Sequence, residues 1–301
     1  MDMRLALLLH VPLGLEVQTQ DLSALLDGGF DCESVSAVES AVKSAPARRY
    51  LATHRHWPDK AYEILVASER QGIRWSCLGH CDYPQPWLNL SVRPVVFSYR
   101  GEPCWRSHEF LAVVGSRTPS TETLLWMQRE LSEFLRQHSI GVVSGGARGV
   151  DQWSHRLCAD AQRPTICILP SGLLNPYPSE SELLWQRVIE SGGCLLSTCS
   201  LFEPMRKSFF HQRNRWIAGM GRGCFVAEAN RRSGSLITAT RAGEEGRELC
   251  TIPVGPLATQ GLGNLDLLAD GAALLRDHRD LVAFWSRVSR PRSLQRLQSD
   301  N

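Results

Sequence analysis

Residues 206–218, RKSFFHQRNRWIA, interleave cations with aromatic rings. Lys207, Arg213 and Arg215 surround Phe209 and Phe210. The mixture suits an unpaired polynucleotide: cations follow the phosphates while a ring stacks on a base, at about 1–3 kcal/mol per base whatever the sequence. A helix carrying this run is expected to bury Phe209 and present Phe210 to a ligand. Glycine-rich turns offer a second kind of chemistry. Gly115-Ser116-Arg117, Ser144-Gly145-Gly146-Ala147-Arg148-Gly149 and Ser171-Gly172 each follow an apolar run. Glycine lets the backbone approach a ligand, amides at a helix start favour phosphate, and Arg117 and Arg148 add charge. Ser233-Gly234-Ser235, with Thr238 one helical turn further on, offers hydroxyls and amides before another helix. The same residues admit a plainer reading, in which the glycines only make tight strand-to-helix turns and the phenylalanines are core.

Other chemistries lack their residues. No G-x-G-x-x-G follows an apolar run and no G-x-x-x-x-G-K-[ST] occurs, which disfavours a dinucleotide cofactor and a P-loop ATPase; no cofactor is expected. G-x-S-x-G and H-E-x-x-H are missing too, so no catalytic residue is assigned. Asp151 and His155 share a helical face, but capping by Asp151 and a packed His155 explain them more simply. Cys77 and Cys81 flank His80 in CLGHC, without a second ligand pair at zinc spacing, so no metal is expected. Most of the ten cysteines sit in apolar segments, as buried free thiols do.

The elements that must position these turns are legible as periodicity. The runs 111–115, 140–145, 165–170, 194–197, 224–228 and 248–254 are continuously apolar, as strands buried on both faces must be. Most intervals between them can hold a crossover helix, so the fold class is α/β: an extended Rossmann-like, mostly parallel sheet with helices on both faces. Ser179 with Glu182 reads as a capping box opening one helix. IRWSCL and VVFSYRG read as edge strands or a join. Before them, Leu22, Leu25 and Leu26, then Val35, Val38 and Val42, recur at helical spacing, and a helix is expected from Asp59 to Gln71. This gives a small helical domain over 1–71, a Rossmann-like domain over 72–284 and a short basic tail over 285–301.

The 301 residues are 43% hydrophobic and 21% charged, the balance of a globular protein with a real core. No apolar run is long enough to span a membrane, and no cleavage site follows the apolar stretch 5–15; a cytoplasmic location is expected. Net charge is +2, but the segment Arg206–Arg241 has eight basic residues against Glu228 alone, leaving −5 for the rest of the chain. A local excess of this kind points to a patch for a polyanion.

Together these residues resemble the DNA-processing protein A family (DprA, also called Smf). The resemblance runs over about residues 72–273 through Tyr83-Pro84, Gly115-Ser116-Arg117, SGGARGVD with His155, Gly172 and Tyr177-Pro178. It continues through Gln212-Arg213-Asn214-Arg215, EANRRSGSLITATRAGEEGRELCTIPVG and a final GLGN. It implies a Rossmann-like fold that binds single-stranded DNA as a homodimer, protects incoming DNA and loads the RecA recombinase in natural transformation. Carried over by motif, Gly115, Ser116, Arg117, Gly146, Lys207 and Arg213 would contact phosphates and Phe210 would stack on a base. Ser144, Gly145, Arg148, Asn214, Arg215, Ser233, Gly234, Ser235 and Thr238 complete the expected nucleic-acid-binding set. The sequence departs from the family at His211, where proline is usual, at Thr198, where glutamate is usual, and at the second glycine of SGGARG. The competing hypothesis is a nucleotide-binding enzyme or sensor on a related scaffold, although the P-G-G-x-G-T-x-x-E motif of such hydrolases is missing.

Overall fold

The computed structural model describes residues 49, 52, 53, 56–255, 258 and 260–289. The helices expected at 22–26 and 35–42, and the tail beyond 289, lie outside them. The first long element is α1 (Trp57–Arg70), close to the expected helix and opened by a proline in its first turn. Its Ile64 and Ala67 pack against Ile73, Leu184 and Leu195 at one end of the sheet.

Nine strands form one sheet: β1 (Ile73–Cys77), β2 (Val96–Gly101), β3 (Glu109–Val114), β4 (Ile140–Ser144), β5 (Thr165–Ile168), β6 (Cys194–Ser197), β7 (Gly223–Val226), β8 (Glu248–Thr251) and β9 (Ala273–Leu274). Their spatial order is β1-β2-β6-β5-β4-β3-β7-β8-β9. From β6 to β9 every pairing is parallel, whereas β2 joins β6, and β1 joins β2, antiparallel. IRWSCL and VVFSYRG are thus the antiparallel edge, and the expected Rossmann-like architecture is present. Between parallel strands lie α3 (Thr121–Trp126) continuing through a π-helical turn Met127–Leu131 into α4 (Ser132–Gln137), then α5 (Val150–Asp160), α6 (Glu182–Glu190), α7 (Lys207–Met220), α8 (Gly234–Glu244) and α9 (Leu262–Ala269). The short α2 (Gln85–Leu88) sits between β1 and β2, and α10 (His278–Val288) closes the described chain.

The apolar runs are continuous because both faces of the sheet are covered. Along β3, Leu111 and Val113 join one core with Phe134 and Phe284, while Ala112 and Val114 join another with Trp87 and Trp216. Val142 and Val143 of β4 divide in the same way. Each such aliphatic side chain contributes about 1.5–3 kcal/mol on burial. α10 runs past the expected boundary at 284: Trp285 and Val288 are buried, so the tail begins later. Ser179 does not cap α6. It opens a 3-10 turn, Ser181 is the N-cap residue, and the Ser181 hydroxyl accepts the Gln152 amide at 2.9 Å. Of the nine described cysteines only Cys81 is exposed, and none is bridged. No helix among the described residues is long and apolar enough to cross a membrane.

The chain starts its parallel part at β3, works outward to β6, then returns to place β7 on the other side of β3. The strand order therefore reverses between β3 and β7, and the crevice beyond their carboxyl ends is where open α/β sheets take ligands.

Candidate nucleic-acid interface

A cavity of about 590 Å3 opens there. The turn after β3 contributes Gly115 and Arg117, the first half of α7 contributes Lys207, Phe210, His211, Arg213 and Asn214, and the start of α8 contributes Arg232, Ser233, Gly234, Ser235 and Thr238. The division of α7 explains how. Its second half is buried: Trp216 packs beside Trp87 with ring centroids 6.0 Å apart and the planes tilted by 54°, and the Trp87 indole donates to the Trp216 carbonyl at 3.1 Å. That anchor leaves the first turns projecting into the crevice with Lys207 exposed.

One hydrogen bond caps the start of α8 and a second holds it against the turn after β3. The Ser233 hydroxyl accepts the Ser235 N–H as an N-cap, and the Ser235 hydroxyl donates to the Gly115 carbonyl at 2.7 Å. Asn214 is buried and donates to the Gly234 carbonyl at 3.4 Å, tying α7 to the same helix start. The positive end of the α8 dipole therefore faces a cavity that already holds Arg117, Lys207, Arg213 and Arg232, an arrangement suited to phosphate.

Phe210 lies among these cations. The Arg117 and Arg213 guanidinium groups stand 5.4 and 5.5 Å from its ring centroid. Tyr177 meets it edge-on at 6.0 Å with the planes at 90°. Phe209 is half-buried rather than buried; it lies near the surface, with the exposed Arg206 over its ring at 5.9 Å.

Arg213 is the largest departure from a surface patch, at 6% exposure. Its guanidinium lies on the backbone of Gly145, where a Cβ would overlap it, so a side chain there would have to push Arg213 aside. Burial pushes the Arg213 pKa below its usual range, and the nearby Asp151 opposes that. Burial likewise raises the Asp151 pKa, against Arg213 and the amides of Ala147 and Gly145, which it accepts. Asp151 thus holds the SGGARG turn from inside, as a cap would.

Most of the groups in that turn and its neighbours are engaged within the protein, although Gly145, Ala147 and Arg148 line a second hollow. Ser144 is fully buried and its hydroxyl donates to the Val113 carbonyl at 2.6 Å, inside the sheet. Gly146 is buried against Cys167 and Trp185. The first amide of α5, on Val150, donates to the Ser116 carbonyl at 3.1 Å, and Gly149, at φ +81°, packs on that same turn where any Cβ would collide. The Ser116 hydroxyl accepts the Thr118 N–H at 3.1 Å. Arg148 is exposed but paired with Glu180, Nε to Oε1 at 2.8 Å. Arg215 is half-buried and does not line the cavity. Ser171 is buried, its carbonyl accepting the Ser197 hydroxyl at 2.7 Å, and Gly172 packs on the backbone of Ser200 and Leu201. His155 is fully buried, its Nδ1 2.7 Å from the Thr165 hydroxyl, and burial drives its pKa down to about 3. It is a core residue, not half of an exposed acid–base pair.

The cavity also contains Arg232 and Tyr177, which the sequence reading left out of the site. Arg232 belongs to the basic run and Tyr177 to the Tyr-Pro pair, so a signal existed for each. Elsewhere His80, Cys81 and Asp82 bring three potential ligand atoms within 4.8 Å of one another. The Asp82 carboxylate there is engaged by Arg106 at 2.8 Å and Tyr99 at 3.3 Å, and Cys77 is buried.

Fold and cavity define a class: a Rossmann-like protein with a cationic, aromatic-edged hollow at the switch point of its sheet. Residues 74–286 match the DNA recombination-mediator protein A family, and the chain belongs to that family, whose members are called DprA or Smf. It is 34% identical over 209 residues to the DNA processing protein DprA of Streptococcus pneumoniae, covering 69% of this chain and 73% of that protein. It is 35% identical over 202 residues to protein Smf of Escherichia coli, covering 66% of this chain and 53% of that one. Smf of Synechocystis is 32% identical over 74% of this chain and 56% of its own, so the match spans little more than half of these two relatives. The solved DprA of Streptococcus pneumoniae superposes with a TM-score of 0.76 at 27% identity, over 94% of this chain and 97% of that one. DprA of Helicobacter pylori, described for its single-stranded DNA binding mode, shares the fold with a TM-score of 0.63 at 23% identity, over 71% of this chain and 96% of its own.

Proposed function

We propose that this chain binds single-stranded DNA in the switch-point cavity without catalysing a reaction. Arg117, Lys207 and Arg232 take phosphates together with the start of α8, while Phe210, backed by Arg213, receives a base. The observation that carries this is the meeting of four cations, one helix N-terminus and an aromatic pair in one open hollow. Asp151 is the one carboxylate lining that hollow among the described residues, and it is buried and bonded to the turn beneath it. This fits a binding site better than hydrolysis of a nucleotide. The single-stranded DNA binding mode described for the Helicobacter pylori relative lends further support. In the wider role the chain works in the cytoplasm as a homodimer, protecting incoming DNA and helping to load RecA onto it.

Anisotropy titrations with a labelled single strand and its duplex, each at two salt concentrations, test the binding. The single strand should bind more tightly, and its affinity should fall steeply with salt. Equal affinity for both forms would defeat the reading. Tight binding of a mononucleotide, with no affinity for oligonucleotides, would favour the nucleotide-binding enzyme instead. Capture of RecA on the protein–DNA complex, and the mass in solution, test the recombinase and dimer parts separately.

A further inference from the structure

The hollow does not end at Phe210. A second one, of about 340 Å3, adjoins it, with Arg117, Tyr177 and Phe210 lining both. Arg148 and Glu180 line only the second. Two features set this outer hollow apart. Tyr177 is 36% exposed, and among the described residues no guanidinium lies over its ring, whereas Phe210 has two. About a third of the Tyr177 surface is therefore open to solvent, where a base can reach it. Arg148 has the opposite property: its side chain is 72% exposed, yet Nε and Nη2 are both spent on one oxygen of Glu180, itself 50% exposed. An exposed ion pair of this kind holds weakly against solvent, so a phosphate, which offers the same fork of oxygens as a carboxylate, can take its place.

We propose that the outer hollow is the subsite for the neighbouring nucleotide of the bound strand, with its base on Tyr177, its phosphate on Arg148, and Glu180 as a built-in competitor that the phosphate must displace. The inference rests on the single-strand reading above. A free cation at this place would hold any small anion. Arg148 under Glu180 yields instead to a ligand that is already anchored next door, where tethering gives its next phosphate a high local concentration. The pair thus biases the site toward a chain of nucleotides over a single phosphate ester.

The test is fluorescence anisotropy on the full chain with an oligothymidylate of about 12 nucleotides, within the usual site size of a single-strand binder. All three side chains lie at the surface, Tyr177 36% exposed and the Arg148 and Glu180 side chains 72% and 50%, so their variants should fold, which melting curves verify. Tyr177→Ala should weaken binding about 5- to 150-fold, the loss of one stacked base. Tyr177→Phe, which keeps the ring, should restore it. Glu180→Gln should tighten binding severalfold, and that gain should vanish in the Arg148→Ala background. If Glu180 acted only as a distant negative charge, its removal would help equally with or without Arg148. A persistent gain, or wild-type affinity for Tyr177→Ala, overturns the proposal. If those variants bind as the wild type does while Lys207→Ala loses affinity, the subsite falls and the single-strand reading stands. If the wild type ignores the oligonucleotide, both fall.

Discussion

Lys207 is the first residue of α7, exposed and facing the cavity, so its removal takes away charge without touching the core. A surface change of this kind moves stability by less than about 0.5 kcal/mol. Its effect on binding can be worked from the lining residues. Arg117, Lys207 and Arg232 are the exposed cations of the cavity, and Arg213 lies beneath them. Each neutralised phosphate of a single strand contributes about −0.7 to the slope of log affinity against log salt, so three give about −2.1. Between 50 and 200 mM salt that slope costs the wild type about 18-fold in affinity. Lys207→Ala should leave a slope of about −1.4 and a loss of about 7-fold over the same interval. Anisotropy titrations at several salt concentrations measure both slopes, and the fall should be the same for oligothymidylate and a mixed sequence. An unchanged slope in the variant would show that Lys207 meets no phosphate, and the charge-tracking argument would fail with it.

Three further outcomes follow from the same geometry. Phe210→Ala should weaken single-strand binding about 5- to 150-fold, one stacking increment, with little change in salt slope, as gel-shift titration can read; a changed slope would recast Phe210 as a prop for its two arginines. Gly145→Ala puts a Cβ into the Arg213 guanidinium, so denaturant melts should show a loss of about 1–3 kcal/mol, and Arg213→Ala in the same chain should relieve part of it. Buried His155 stays neutral down to about pH 3, whereas the unfolded chain protonates it near its ordinary value. The unfolded state thus binds the extra proton, and stability should fall by up to about 1.4 kcal/mol per unit as pH drops from 6.5 toward 3. A His155→Leu variant should lose that part of the slope between about pH 4 and 6.5, and an identical profile would contradict the assignment.

The sheet was legible because burial on both faces leaves a one-dimensional mark. LAVVG and IGVVS need apolar residues at every position, since alternate side chains enter different cores. β9 left no such mark, having two residues, half-buried Ala273 and exposed Leu274. In the site, the cation–aromatic run of α7 and the serine–glycine start of α8 announced themselves by composition. What the chain did not announce was depth. Arg213 sits three residues after Phe210 and four before Ile217, on the inner stripe of the helix, so its burial could have been read from spacing alone. The pairing of Arg148 with Glu180 spans 32 residues, and the bond from Ser144 to Val113 spans 31; both exist only once the sheet has formed. The glycines of SGGARG are places of close approach within the protein: Arg213 lies on Gly145, Cys167 and Trp185 on Gly146, and the turn after β3 on Gly149.

The most direct examination is a crystal structure of the chain with a bound oligothymidylate. Phosphate oxygens should lie within hydrogen-bond reach of Arg117, Lys207 and the start of α8, with a base against Phe210. A strand seated elsewhere, for instance in the hollow beside Trp105 and Arg222, with the switch-point cavity empty of nucleotide, would contradict the account.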